Sequence, residues 1–250
     1  MKLNRTPLRS LALLMLLFGL VSPAAAGLWD DPKNLEALPK DISPEALRAT
    51  MRGFATNTGA RCSTCHVGED ENDIRTYDFS LDDKEMKLKA RHMIRMVADI
   101  NGYLEEKLGK PAAELLAVDC ATCHRGQTKP EMLHAVLERS YRAQGMASAI
   151  AEYRKLRERY YGDYAFDFSP KALMKLAENL ASVDDYEAAL GFLDLNLEFN
   201  PDSARTYVFK SDFLIEMGDK AAARESLLRA IELEPENQFT RQLLENLDNS

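Results

Sequence analysis

The chain has 250 residues, with 32 Lys and Arg against 40 Asp and Glu, a formal charge of −8, and 46% hydrophobic residues. That acidity argues against nucleic acid or anionic lipid as a partner, and the length leaves room for one or two domains. No low-complexity tract and no sustained coiled-coil heptad interrupts it.

Lys2, Arg5 and Arg9 make a positive start, Leu11 to Val21 is apolar, and Ala24-Ala25-Ala26 offers small residues for cleavage before Gly27. This pattern predicts a signal peptide over residues 1–26. The apolar run is short of the ~20 residues a membrane span needs, so no stable membrane insertion is expected after cleavage. A retained anchor is the alternative. No cysteine stands at the cleavage region to take a lipid. The expected location is the periplasm, and losing three cations makes the mature chain more acidic still.

Residues 27–43 read as irregular, punctuated by Pro32 and Pro39. Ser43-Pro44-Glu45 is a helix start: a serine cap, proline at the first position, and an acid at the positive end of the dipole. Leu47, Met51 and Phe54 share one face of this helix, which is expected to end near residues 57–59. Cys62-Ser63-Thr64-Cys65-His66 follows. A second, longer helix is predicted from Asp82 to about Leu108, with Met86, Ala90, Met93, Val97, Ile100, Leu104 and Leu108 on one stripe. Lys87, Arg91, Arg95 and Asp99 fall on flanking or opposite positions. Gly109 and Pro111 stop it, and Cys120-Ala121-Thr122-Cys123-His124 comes next.

The two pentapeptides use all four cysteines of the chain. Cys-x-x-Cys-His is the attachment pattern of c-type haem, in which two thiols form thioethers to the porphyrin and the adjoining histidine ligates iron. Two covalently bound haem c groups are therefore expected, with Cys62, Cys65 and His66 holding one and Cys120, Cys123 and His124 the other. Zinc would explain the paired thiols but not the histidine after each pair. Two small disulfides are a further alternative, and a thioredoxin-like role would want a βαβ setting that neither motif has. Export agrees with the haem reading, because thioether attachment takes place outside the bacterial cytoplasm.

Met51-Arg52-Gly53-Phe54 ahead of the first pentapeptide with Val67-Gly68 resembles the haem units of the photosynthetic reaction-centre cytochrome c subunit family. Ala90-Arg91-His92-Met93-Ile94-Arg95-Met96, Ile100-Asn101 and the second pentapeptide with Arg125-Gly126 do so as well. The likeness covers roughly residues 43–130. It implies a methionine on the helix before each pentapeptide as sixth ligand: Met51 for the haem on Cys62 and Cys65, Met93 for the haem on Cys120 and Cys123. Met96 and Met86 are reserves for Met93, and His92 and His134 are the remaining imidazoles. That subunit carries four haems and this chain has two pentapeptides, so the likeness bears on the haem units more than on docking to a reaction centre. A sulfur and a nitrogen on each iron saturate it, which suits electron transfer rather than binding of peroxide or oxygen. Arg52, Arg61, Arg91, Arg95 and Arg125 are candidate partners of haem propionates, or simply solubilise their helices.

Beyond Pro130 the sequence reads as helical. At an offset of 34 residues, Asn200-Pro201 recurs as Glu234-Pro235, Ala188-Ala189 as Ala222-Ala223, Leu193 as Leu227, Leu180 as Leu214 and Asp185 as Asp219. This is the tetratricopeptide period. Clear repeats are expected over residues 170–202 and 204–236, with a degenerate hairpin at 134–161 and a capping helix at 236–247. Such solenoids present a concave face to a protein partner, or buttress a neighbouring module. Tyr186, Phe192, Tyr207 and Phe213 are the available aromatics, expected mainly in packing.

The expected fold is all-α: a dihaem cytochrome c domain over residues 27–130, then a tetratricopeptide-like helical repeat domain over 131–250. The expected function is electron transfer between partner proteins, without catalysis. A dihaem peroxidase or reductase with one open iron site is the rival, and a haem-based sensor or assembly scaffold a third reading.

Overall fold

A computed structural model describes residues 27–110, 114 and 117–249; the predicted signal peptide lies outside them. Among the described residues the regular structure is helical, apart from one hairpin of two-residue strands. Helix α1, Pro44–Thr58, starts as its sequence dictates: the Ser43 hydroxyl accepts from Ala46 N at 3.2 Å, with Pro44 in the first turn. It ends on Gly59, left-handed at φ 64. The first pentapeptide coils into a single turn, α2, Cys62–Cys65. Strands β1 (Val67–Gly68) and β2 (Tyr77–Asp78) then pair antiparallel, Val67 opposite Asp78 and Gly68 opposite Tyr77.

Helix α3 runs Glu85–Leu108 and stops on left-handed Gly109. It begins three residues later than Asp82, because the Asp82 carboxylate is taken by Arg91 and Lys87 rather than by the first turn's amides. The second pentapeptide is α4, Cys120–His124, where the Asp119 carboxylate accepts from Thr122 N at 2.9 Å.

Helices α5 (Leu133–Gln144) and α6 (Met146–Tyr160) form the first hairpin, broken at Gly145. The regular hairpins follow: α7 (Pro170–Ala181) with α8 (Tyr186–Phe199), and α9 (Ala204–Glu216) with α10 (Lys220–Leu233). Helix α11, Gln238–Asp248, closes the array. Small residues let the paired helices meet, with Ala189 and Ala223 fully buried 34 positions apart. Phe192 is wholly buried and meets Tyr141 edge to face, and Tyr186 lies against Phe213, so three of the four singled-out aromatics pack within the repeats.

The repeat period reaches the caps. Asp185 and Asp219 each accept an amide three residues on, from Ala188 and Ala222. Removing such a cap costs about 1 kcal/mol. Asp185 also accepts the Tyr141 hydroxyl at 2.8 Å. Asp185→Ala is therefore expected to lower stability more than Asp219→Ala, and equal urea midpoints for the two variants would contradict this.

The two halves differ in their interiors. A continuous core runs from Leu133 and Leu137 of α5 through Leu173, Leu176 and Leu180 of α7 to Phe192 and Leu193 of α8. Before residue 130, the only buried hydrophobic side chains among the described residues are Leu47 and Tyr77. The halves join where Gln127, itself buried, donates its side-chain amide to Ala165 O. Among the described residues no helix is long and apolar enough to cross a membrane.

Candidate cofactor site

Where the cysteine-bearing half lacks a core, it has a cavity of about 600 Å³. Met51 and Phe54 of α1 line it, with Cys62, Cys65 and His66 of the first pentapeptide, Met86 and Met93 of α3, and Cys120 and His124 of the second. Seven of the eight residues predicted to hold cofactor thus line one cavity. The eighth, Cys123, is exposed. Met96 and His92 are exposed on α3 and do not line the cavity, and His134 lines a separate, smaller cavity.

The histidines of both pentapeptides line the cavity. His124 Nδ1 lies 2.8 Å from the Gln127 carbonyl oxygen. A carbonyl can only accept, so Nδ1 carries the proton, and in the neutral tautomer Nε2 is then the nitrogen with the lone pair. Such a bond to a backbone carbonyl is how metal-ligating imidazoles are oriented. The His66 ring packs edge-on against Phe79, 4.9 Å between centroids, and its Nδ1 is buried without a hydrogen-bond partner. Burial, with Lys87 and Arg91 close by, pushes its pKa down to about 4, so the ring is neutral at pH 7.

All four cysteines are free. Burial raises the pKa of Cys65, helped by neighbouring Cys62, and that of Cys120, helped by Asp119, so these groups stay thiols at neutral pH. Among the described residues no three or more His, Cys, Asp or Glu side chains converge to hold a bare metal ion, and the two cysteine pairs therefore do not make a shared tetrahedral zinc site. The donor set, the apolar walls and the orphaned imidazole nitrogen all fit a large iron porphyrin.

Helix α3 turns its faces in a way the sequence did not lead one to expect. Lys87 and Arg91, assigned to flanking positions, are buried at 8% and 7% exposure, whereas Met93 of the apolar stripe is 44% and Leu108 58% exposed. The cause is an arm that crosses the helix. Arg91 donates to Asp82 at 2.9 Å and to Asn34 O at 3.2 Å, and lies 3.3 Å from Glu36. Lys87 donates to Phe79 O and pairs with Asp82, each at 2.9 Å. Arg91 is thus held by protein carboxylates, and Arg95 donates to Glu36 O. The stripe is left facing the cavity and beyond.

Arg91, Lys87 and Asn34 hydrogen-bond Asp82 and hold its carboxyl well below the usual range. A depressed folded-state pKa contributes stability above the unfolded value, near 4, and that stability is lost as pH falls further. Asp82→Asn is expected to lower the melting temperature at pH 7 and to lose less than wild type between pH 5 and pH 3. Parallel melting curves across that range would refute the role of this carboxylate.

Fold and site together define an all-α protein whose cysteine-bearing front carries cytochrome c-type attachment motifs and whose rear is a tetratricopeptide solenoid. The family described as photosynthetic reaction centre cytochrome C subunit matches residues 30–160, just over half the chain, and the chain belongs to that family. The match extends through α5 and α6. A tetratricopeptide repeat matches residues 204–237. No curated protein matches. Among solved structures, the first TPR of Spaghetti (RPAP3) bound to an HSP90 peptide is 20% identical, covering 46% of this chain and 90% of that one, at a TM-score of 0.33. The Yersinia enterocolitica type III secretion translocator chaperone SycD is 14% identical, covering 56% and 89%, at a TM-score of 0.31. Membership of the cytochrome family implies haem c binding, and the repeats imply interaction with protein.

Proposed function

We propose that this protein is an exported, periplasmic dihaem cytochrome c that carries electrons between partner proteins, with the repeat half as its docking module. One haem is held by Cys62, Cys65 and His66 with Met51, the other by Cys120, Cys123 and His124 with Met93. The single observation that carries the reading is the apolar cavity, where a core is otherwise missing, walled by both motifs and both methionines. The bond from His124 to the Gln127 carbonyl supports it, since it leaves Nε2 free.

Bound there, haem supplies a one-electron couple, and the protein tunes it through ligands, burial and hydrogen bonds. Met51 with His66, and Met93 with His124, would hold the two irons, and a sulfur donor paired with a nitrogen donor would favour electron transfer over catalysis. Intact mass of the protein purified from periplasm is the test. Two haem masses per chain are expected, with all-low-spin spectra and no change on adding peroxide. Met51→Ala and Met93→Ala are each expected to turn one haem high-spin and leave the other unaltered. A bare polypeptide would overturn the whole reading, and a high-spin, peroxide-reactive wild type would move it to the peroxidase class.

A further inference from the structure

Asn101 stands inside α3, two turns before its end, where asparagine is a poor helix former because its side chain competes for backbone. Here the amide is committed elsewhere. Its Nδ2 donates to Val118 O at 2.8 Å and its Oδ1 accepts from Val118 N at 2.8 Å, across 17 residues of sequence. A side chain thus satisfies both polar groups of one backbone residue, as a neighbouring strand would. Val118 is two residues ahead of Cys120, and Asp119 between them caps α4.

The second pentapeptide needs such a tie and the first does not. Only residues 59–61 separate α1 from α2, so α1 itself aims the first motif. Eleven residues of sequence, 109–119, lie between α3 and α4, against three between α1 and α2. At its exit the motif is held by Gly126 N donating to Asn57 O at 2.9 Å and by Thr128 Oγ1 donating to Thr58 O at 3.2 Å. Asn101 is the matching tie at the entry, and it lies on the helix that bears Met93, about 12 Å along its axis.

We propose that Asn101 is the positioning residue of the second haem site: its amide fixes Cys120–His124 relative to the Met93 helix, and so the approach of the two axial ligands. The proposal rests on the reading that Cys120 and Cys123 carry a haem. Met-to-iron bonding is weak and sensitive to geometry, so a loosened motif is read at the iron before it is read in the fold.

The experiment uses the full exported holoprotein with Asn101→Ala and Asn101→Asp, the haem signals being assigned from the Met51→Ala and Met93→Ala spectra. Both variants are expected to keep two haems by intact mass and an unchanged first haem. In Asn101→Ala the second haem is expected to lose most of its low-spin signal and to shift in midpoint potential. Asn101→Asp keeps the acceptor for Val118 N and loses the donor to Val118 O, so its second haem is expected to fall between Asn101→Ala and wild type. Should Asn101→Ala fail to accumulate, Asn101→Asp alone decides the matter by the same readout. Wild-type spectra and potentials at the second haem in the variants would overturn the proposal, and so would equal disturbance of both haems alongside a lowered melting temperature. Failure of the underlying reading is separately visible, as a missing haem in the wild-type mass.

Discussion

A Gly59→Ala protein is expected to melt well below wild type, losing about 2–5 kcal/mol, from left-handed strain and from overpacking together. Gly59 ends α1 at φ 64, where a side chain is strained whatever space surrounds it. There is also no space. A Cβ would overlap the Gly126 carbonyl oxygen, which is backbone and cannot swing aside. The contact is where α1 meets the exit of the second pentapeptide, beside the Gly126 to Asn57 hydrogen bond. The substitution therefore pries one motif from the helix that leads to the other. Gly102 in α3 is the control, for a Cβ there meets nothing within 4 Å. Gly102→Ala is expected to stabilise by about 0.5–1 kcal/mol, the helix-interior difference between the two residues. Thermal melts of the two variants should move in opposite directions, and a Gly59→Ala midpoint at or above wild type would refute the close approach.

What was legible from residues alone was what is local or periodic. Ser43-Pro44-Glu45 gave the start of α1, Gly59 and Gly109 gave two helix ends, and the 34-residue offset matches the spacing of the two regular hairpins, which begin at Pro170 and Ala204. Each of these rests on near-neighbour chemistry or on repetition. Legibility failed where a distant segment competes for a side chain. Asp82 looked like the opening of α3 until Arg91 and Lys87 claimed it. Those two cations looked like a solvated flank, but Arg91 is taken by Asn34 and Glu36 and Lys87 by residues 79–82. Asn101 is legible in the sequence only as part of a family motif, and its pairing with Val118 has no sequence signal short of an unexplained asparagine inside a helix. The β1–β2 hairpin was missed as well, since two-residue strands leave no alternation to detect.

The chain without haem, made by replacing Cys62, Cys65, Cys120 and Cys123 with alanine, is expected to be half folded. Burial of apolar surface is the main force that offsets chain entropy, and a unit of about 100 residues needs a substantial interior to fold alone. The repeat half has one, from Leu133 to Leu195. The front half buries Leu47 and Tyr77 and otherwise arranges apolar side chains around a cavity. A porphyrin in that cavity would give Met51, Phe54 and Met93 an apolar body to pack on, and would then stand in for the missing core. Hydrogen exchange is expected to protect α7 and α8 in the haem-free chain much as in the holoprotein, while α1 and α3 exchange close to the rate of unfolded peptide. The boundary should fall near the Gln127 to Ala165 contact, where the front half leans on the rear. If α1 and α3 in the haem-free chain were protected as strongly as α7, the front half would have an interior of its own. The cavity would then be an ordinary groove, and the structural reason for placing haem in it would be gone.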